Sequence, residues 1–144
     1  MSKNFLISML LAILLISSCS SPEITHSAPA LEDDWYIRMI QTGGIAGVNR
    51  AVEVLSDGSY TVYQQAGGEG IKGQLSETDL AKLEDLIANL EIANVRTDSM
   101  CADCFFYDIE IQSGGRKMVF QLDDISLPDS GAGELVTFLT GLMQ

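Results

Sequence analysis

The chain has 144 residues, with 20 acidic side chains against 8 basic ones, a single histidine and a formal net charge of −12. A surface this acidic lacks the basic footprint that nucleic acid or anionic lipid headgroups require, so no nucleic-acid partner is expected. One histidine, His26, is too few for a metal-binding H-E-x-x-H helix, and its place near the N-terminus removes it from any Ser-His-Asp arrangement.

Chain order begins with a polar tip carrying Lys3, an almost wholly apolar run over residues 5–16, and small residues at its end. That is the pattern of a secretory signal peptide, and the run is shorter than the ~20 residues a membrane span needs. Ile16-Ser17-Ser18-Cys19 resembles the bacterial lipobox, in which an aliphatic residue and two small ones precede the cysteine that is lipidated. The expectation is a signal peptide over residues 1–18 and a lipid anchor on Cys19, the chain's only contact with the membrane. Several acyl chains on one cysteine hold a protein stably, because each buried CH₂ contributes about 0.8 kcal/mol. Ser20 follows, rather than the Asp that retains such proteins at the inner membrane, which favours the periplasmic face of the outer membrane or the cell surface. Residues 19–34 have no apolar periodicity and are expected to be a flexible tether. Residues 35–144 suffice for one domain with a modest core.

Within that domain, residues 35–41 alternate Trp35, Ile37 and Met39 against Tyr36 and Arg38, which predicts a strand. Three glycines among residues 43–47 break it. Two further strands, residues 50–55 and 59–65, flank Ser56-Asp57-Gly58. A three-residue loop puts Val52 and Val54 on one face with Tyr60 and Val62, whereas a two-residue loop would pair the valines with Thr61 and Tyr63. The three-residue loop is therefore expected, with Gly58 left-handed. Ser76 is expected to cap a helix whose stripe runs Leu80, Leu83, Ile87, Leu90 and which ends near Asn94. Next, Tyr107, Ile109 and Ile111 face Leu122, Phe120 and Met118 across a Gly114-Gly115 turn. A last helix over about residues 131–142 uses Leu135, Phe138, Leu139 and Leu142. The order β-β-β-α-β-β-α predicts an α+β fold, with an antiparallel sheet of about five strands and two helices packed on one face.

Few side chains are placed for chemistry. In an oxidising compartment Cys101-Ala102-Asp103-Cys104 is expected to close a local disulfide. A redox-active pair would favour a helix N-terminus, but this one precedes a strand, and two thiolates alone make a poor zinc site. Asp123, Asp124 and Asp129 share a loop without EF-hand spacing, and the segment 67–70 lacks the G-K-[ST] ending of a phosphate loop. No nucleophile, base and oxyanion donors converge, so no catalytic residue, metal or cofactor is assigned and the protein is expected not to be an enzyme.

Three segments together resemble the emfourin family, small proteinaceous inhibitors of thermolysin-type metallopeptidases. They are Gly43-Gly44-Ile45-Ala46-Gly47 with Arg50 following, a D-G hairpin ahead of a helix opening at Leu75-Ser76, and Asp103-x-Phe105-x-Tyr107-x-Ile109. The likeness covers nearly the whole mature domain, with Thr42 where the family often has Ser. It implies a protein-binding module whose partner is a secreted metallopeptidase, with Gly43, Gly44, Ile45, Ala46, Gly47 and Arg50 as candidate contacts. A loop free of bulky side chains can approach a narrow cleft and pair with an edge strand there. The same glycines also suit a plain connection between strands. Tether and anchor equally suit an envelope accessory or scaffold lipoprotein with no protease partner.

Overall fold

A computed structural model of the chain describes residues 23–25, 27–93 and 101–144. The lipobox, Cys19, His26 and Asn94 lie outside the described residues. Among the described residues seven strands and two α-helices follow one another as β1 (Glu23–Thr25), β2 (Trp35–Gly43), β3 (Val48–Leu55), β4 (Ser59–Tyr63), β5 (Gly70–Gln74), α1 (Glu77–Ala88), β6 (Phe105–Ser113), β7 (Arg116–Asp123) and α2 (Gly133–Leu142), with a 3-10 turn at Leu127–Asp129 before α2. They make one sheet in the order β1-β7-β6-β2-β3-β4-β5. Strands β2 to β7 are antiparallel, with both helices on one face, so the expected α+β architecture is found with one more strand than counted from sequence. β1 adds a short parallel pairing at the β7 edge.

Period-two alternation decides which face is inside. Ile37, Met39, Val52, Val54, Ile109 and Ile111 are each at most 1% exposed. Leu83 and Ile87 of α1 and Leu135 and Leu139 of α2 close over them in the same cluster. Burying each such side chain contributes about 1.5–3 kcal/mol. The two hairpin registers come out as the pattern demanded: Val52 faces Val62 and Val54 faces Tyr60, with Gly58 at φ 78°. Ile111 faces Met118 and Tyr107 faces Leu122, with Gly114 and Gly115 both at positive φ. Ser76 Oγ accepts from Asp79 N–H at 3.1 Å and caps α1, whose acidic first turn also suits the helix dipole.

Three expectations are corrected. First, α1 stops at Ala88, not near Asn94, because the Asn89 side-chain amide donates to Asp85 O at 2.9 Å and the Asn89 N–H turns back on Asp85 and Ile87. Leu90 still reaches the core from beyond the helix end, which is why the apolar stripe overruns it. Second, β5 carries two glycines and looks like a loop in sequence. It pairs because its cross-strand neighbours are large: a Cβ on Gly73 would fall 2.1 Å from the Tyr60 ring, and one on Gly70 2.9 Å from the Tyr63 ring. Glycine leaves room for those rings on the sheet, and the side chains across the pair compensate for its weak strand propensity.

Third, the expected tether is not free throughout. Beyond β1, Pro29 is buried, Ala28 and Leu31 pack against the core, and Glu32 N–H donates to Ser113 Oγ at 2.8 Å. An irregular segment docks through single residues and leaves no periodic trace in sequence. Removing residues 19–30 should therefore lower the urea unfolding free energy by about 1–3 kcal/mol. An unchanged midpoint would show this segment to be a free tether after all.

Candidate functional site

One end of the sheet gathers the candidate contacts. β2 runs on to Gly43, so the connection to β3 shrinks to residues 44–47. Gly47 N–H donates to Gly44 O at 3.0 Å, leaving Ile45 and Ala46 at the two central positions of a tight turn. Gly43, Gly44 and Gly47 have φ of 97°, 69° and 62°. Ile45 is 91% exposed, the highest value among the exposed large apolar side chains of the described residues.

Beneath this tip lies the cysteine pair. Cys101 and Cys104 are joined in a disulfide with 5.4 Å between their Cα atoms, as expected from sequence. The Cys104 carbonyl accepts from Gly44 N–H at 3.0 Å. Approach is so close that a Cβ on Gly43 would stand 2.3 Å from that oxygen, and one on Gly44 2.7 Å from the Phe105 ring. These two glycines thus have a packing requirement as well as a conformational one. Gly47 meets nothing within 4 Å and is required by its φ alone.

Arg50 is placed differently from the contacts it was grouped with. It projects on the inward face, where its Nε donates to Gln41 Oε1 at 2.8 Å and its Nη1 to the Met143 carbonyl at 3.2 Å. Gln64 Nε2 donates to the same carbonyl at 3.1 Å. Arg50 is therefore committed to the C-terminal end of α2, where a cation also suits the helix dipole. A shallow concavity beside the tip is lined by Ala46, Gly47, Val48, Asn49 and Arg50 on one side and by Gln64, Gln65 and Ala66 on the other, so Arg50 still borders the surface next to the tip.

The acids of the 123–129 loop also have structural duties. Asp124 Oδ2 accepts from Phe105 N–H at 2.8 Å and its Oδ1 from the Tyr107 hydroxyl at 3.0 Å. Asp123 Oδ1 accepts from the N–H groups of Ile125 and Ser126. Burial pushes the Asp123 carboxyl up, but the bonds from Ser126 and Ile125 outweigh it and hold its pKa below the usual value. Among the described residues no cluster of histidine, cysteine and acidic groups is arranged to hold a metal ion. No described helix is long and apolar enough to cross a membrane.

Two tyrosines are held neutral. Burial, then the hydrogen bond to Asp124 and that carboxylate's charge, push Tyr107 up to about 12, with Gln41 and Arg50 pulling back. On the open face, burial and then Glu110 push Tyr36 up to about 12; Glu110 also pairs with Lys117 at 2.8 Å. Sequence reasoning singled out neither tyrosine for this; the signal available was their placement opposite polar partners in a strand register. No protein-family model matches the chain, and no curated protein matches it.

An unfolded tyrosine ionises near pH 10. The stability that Tyr107 gains as a neutral donor is thus complete below about pH 10 and is lost as pH rises through about 12. Absorbance at 295 nm should show a late phenolate step near pH 12 that shrinks in Tyr107→Phe; an unchanged step would contradict the Asp124 pairing. Separately, Gly47→Ala should cost about 1–2 kcal/mol for its positive φ. Gly43→Ala should cost more in urea unfolding, because its Cβ also meets a carbonyl. Equal losses would show that the Cys104 contact places no demand on Gly43.

Proposed function

We propose that this chain is a lipid-anchored, non-enzymatic protein-binding domain that inhibits a secreted thermolysin-type metallopeptidase. The observation that carries this reading is the tip at residues 43–47. It is narrow, bears one large side chain, and is fastened to the neighbouring strand and disulfide loop. Ordering a loop on binding costs affinity, and a tip held in place beforehand avoids much of that cost. A glycine-shaped tip can enter a narrow cleft that a bulkier turn could not. The resemblance of residues 43–47, 75–76 and 103–109 to the emfourin family points to the same class of target.

The direction of attachment supports the reading too. Three residues, 20–22, separate the lipidated Cys19 from β1, a reach of at most about 3.6 Å each. Glu23 pairs with Arg116, beside the Gly114-Gly115 turn and at the Trp35 end of β2. The tip is at the other end of that nine-residue strand, roughly 30 Å away. An anchor on Cys19 therefore holds the domain close to the bilayer and points the tip away from it, at the periplasmic face of the outer membrane or the cell surface.

A second reading, an envelope scaffold lipoprotein with no protease partner, draws on the packing reasons that Gly43 and Gly44 have of their own. Titration separates the two. The mature chain from Cys19, in detergent, is added to the secreted thermolysin-type peptidase of its own host, with thermolysin as a second probe. Stoichiometric loss of peptidase activity is the expected result. Full activity of both enzymes at micromolar chain would remove the inhibitor reading and leave the scaffold.

A further inference from the structure

We propose that Ile45 is the side chain by which the tip engages its target, seated in an apolar pocket of the target's cleft, and that the Cys101–Cys104 disulfide holds it in position. This inference rests on the inhibitor reading and adds to it the contact residue, the chemistry of the pocket and the brace.

A single exposed aliphatic residue is ordinary on a protein surface. Ile45 differs in where and how it is held. It occupies a central position of a turn closed by Gly47 N–H on Gly44 O, above strand pairs that continue to Gly43 and Val48. Gly44 N–H is bound in turn to the Cys104 carbonyl, so the tip is tied to the covalent loop as well as to its own hairpin. No charged residue lies between Arg38 and Arg50, in a chain with 28 of them, so the tip itself carries no ion to be desolvated. Gly44 before it and Ala46-Gly47 after it leave the isoleucine as the only large side chain of the turn. Such a knob fits an apolar socket flanked by a strand edge; a charged or flat surface would leave it in water.

Ile45 is almost wholly exposed, so replacing it does not disturb the core, and a loss of binding in its variants is not a loss of folding. In the same titration, Ile45→Ser should weaken inhibition about ten- to a hundredfold at unchanged Tm, the range expected from burying one aliphatic side chain. Ile45→Leu should stay within about threefold. Undiminished inhibition by Ile45→Ser would overturn the contact and leave the inhibitor reading standing. Failure of the wild-type chain to inhibit would remove both. The brace is read without any partner, by amide hydrogen exchange of the free mature chain. In Cys101→Ser/Cys104→Ser the Gly44 and Gly47 amides should exchange about tenfold faster, while Met39 and Ile109 keep their protection. Unchanged exchange at Gly44 and Gly47 would overturn the brace.

Discussion

The structure depends on β2 being paired along both of its edges. One edge carries β3, its neighbour in sequence, and the other carries β6, which lies far along the chain, so that Gly43 meets Phe105 and Trp35 meets Ser113. Closing that distance costs chain entropy, and the return comes only once both faces of the contact are filled. Ile37 and Met39, both fully buried, supply the inward face against Val52, Val54, Ile109 and Ile111. With this pairing made, the helices have a surface to cover and the strand ends are set level with one another.

The level strand ends create the candidate site. Because β2 and β6 stay in register through Gly43 and Phe105, the disulfide loop that precedes β6 is delivered directly under the turn that follows β2. A run of polar contacts stiffens the same end from below: Met143 to Arg50, Arg50 to Gln41, and, on the strand beside Gln41, Tyr107 to Asp124 and Asp124 back to Phe105. Buried polar groups are costly unless they are satisfied, and among the described residues no buried side-chain nitrogen or oxygen lacks a partner. Arg50 thus supports the end of the sheet that displays the tip, and it does so by anchoring α2.

Some of this was legible residue by residue. A slip of one position turns a whole strand face over, so the valines of β3 and the tyrosine and valine of β4 dictated a three-residue loop. Gly114-Gly115 dictated the other hairpin. Ser76 followed by acids marked the start of α1 because a helix start needs acceptors for its free N–H groups. β5 was hidden because its glycines make sense only once Tyr60 and Tyr63 are opposite them. The docking of Ala28, Pro29 and Leu31 was hidden because a segment that packs without repeating has no period to detect.

By itself the sequence determined the elements whose physics is local: alternation that selects a buried face, turn residues that set a register, a cap that starts a helix, and two cysteines close enough in the chain to join. It also marked residues 43–47 as unusual. Only the tertiary structure decided what those residues touch. Gly43 and Gly44 are small because the Cys104 carbonyl and the Phe105 ring arrive beside them. Ile45 stands free because every neighbour in the turn lacks bulk. Arg50 binds the end of a helix and borders the surface beside the tip. Each of these outcomes joins residues distant in sequence, and the distance between such residues is settled by strand pairing and core closure.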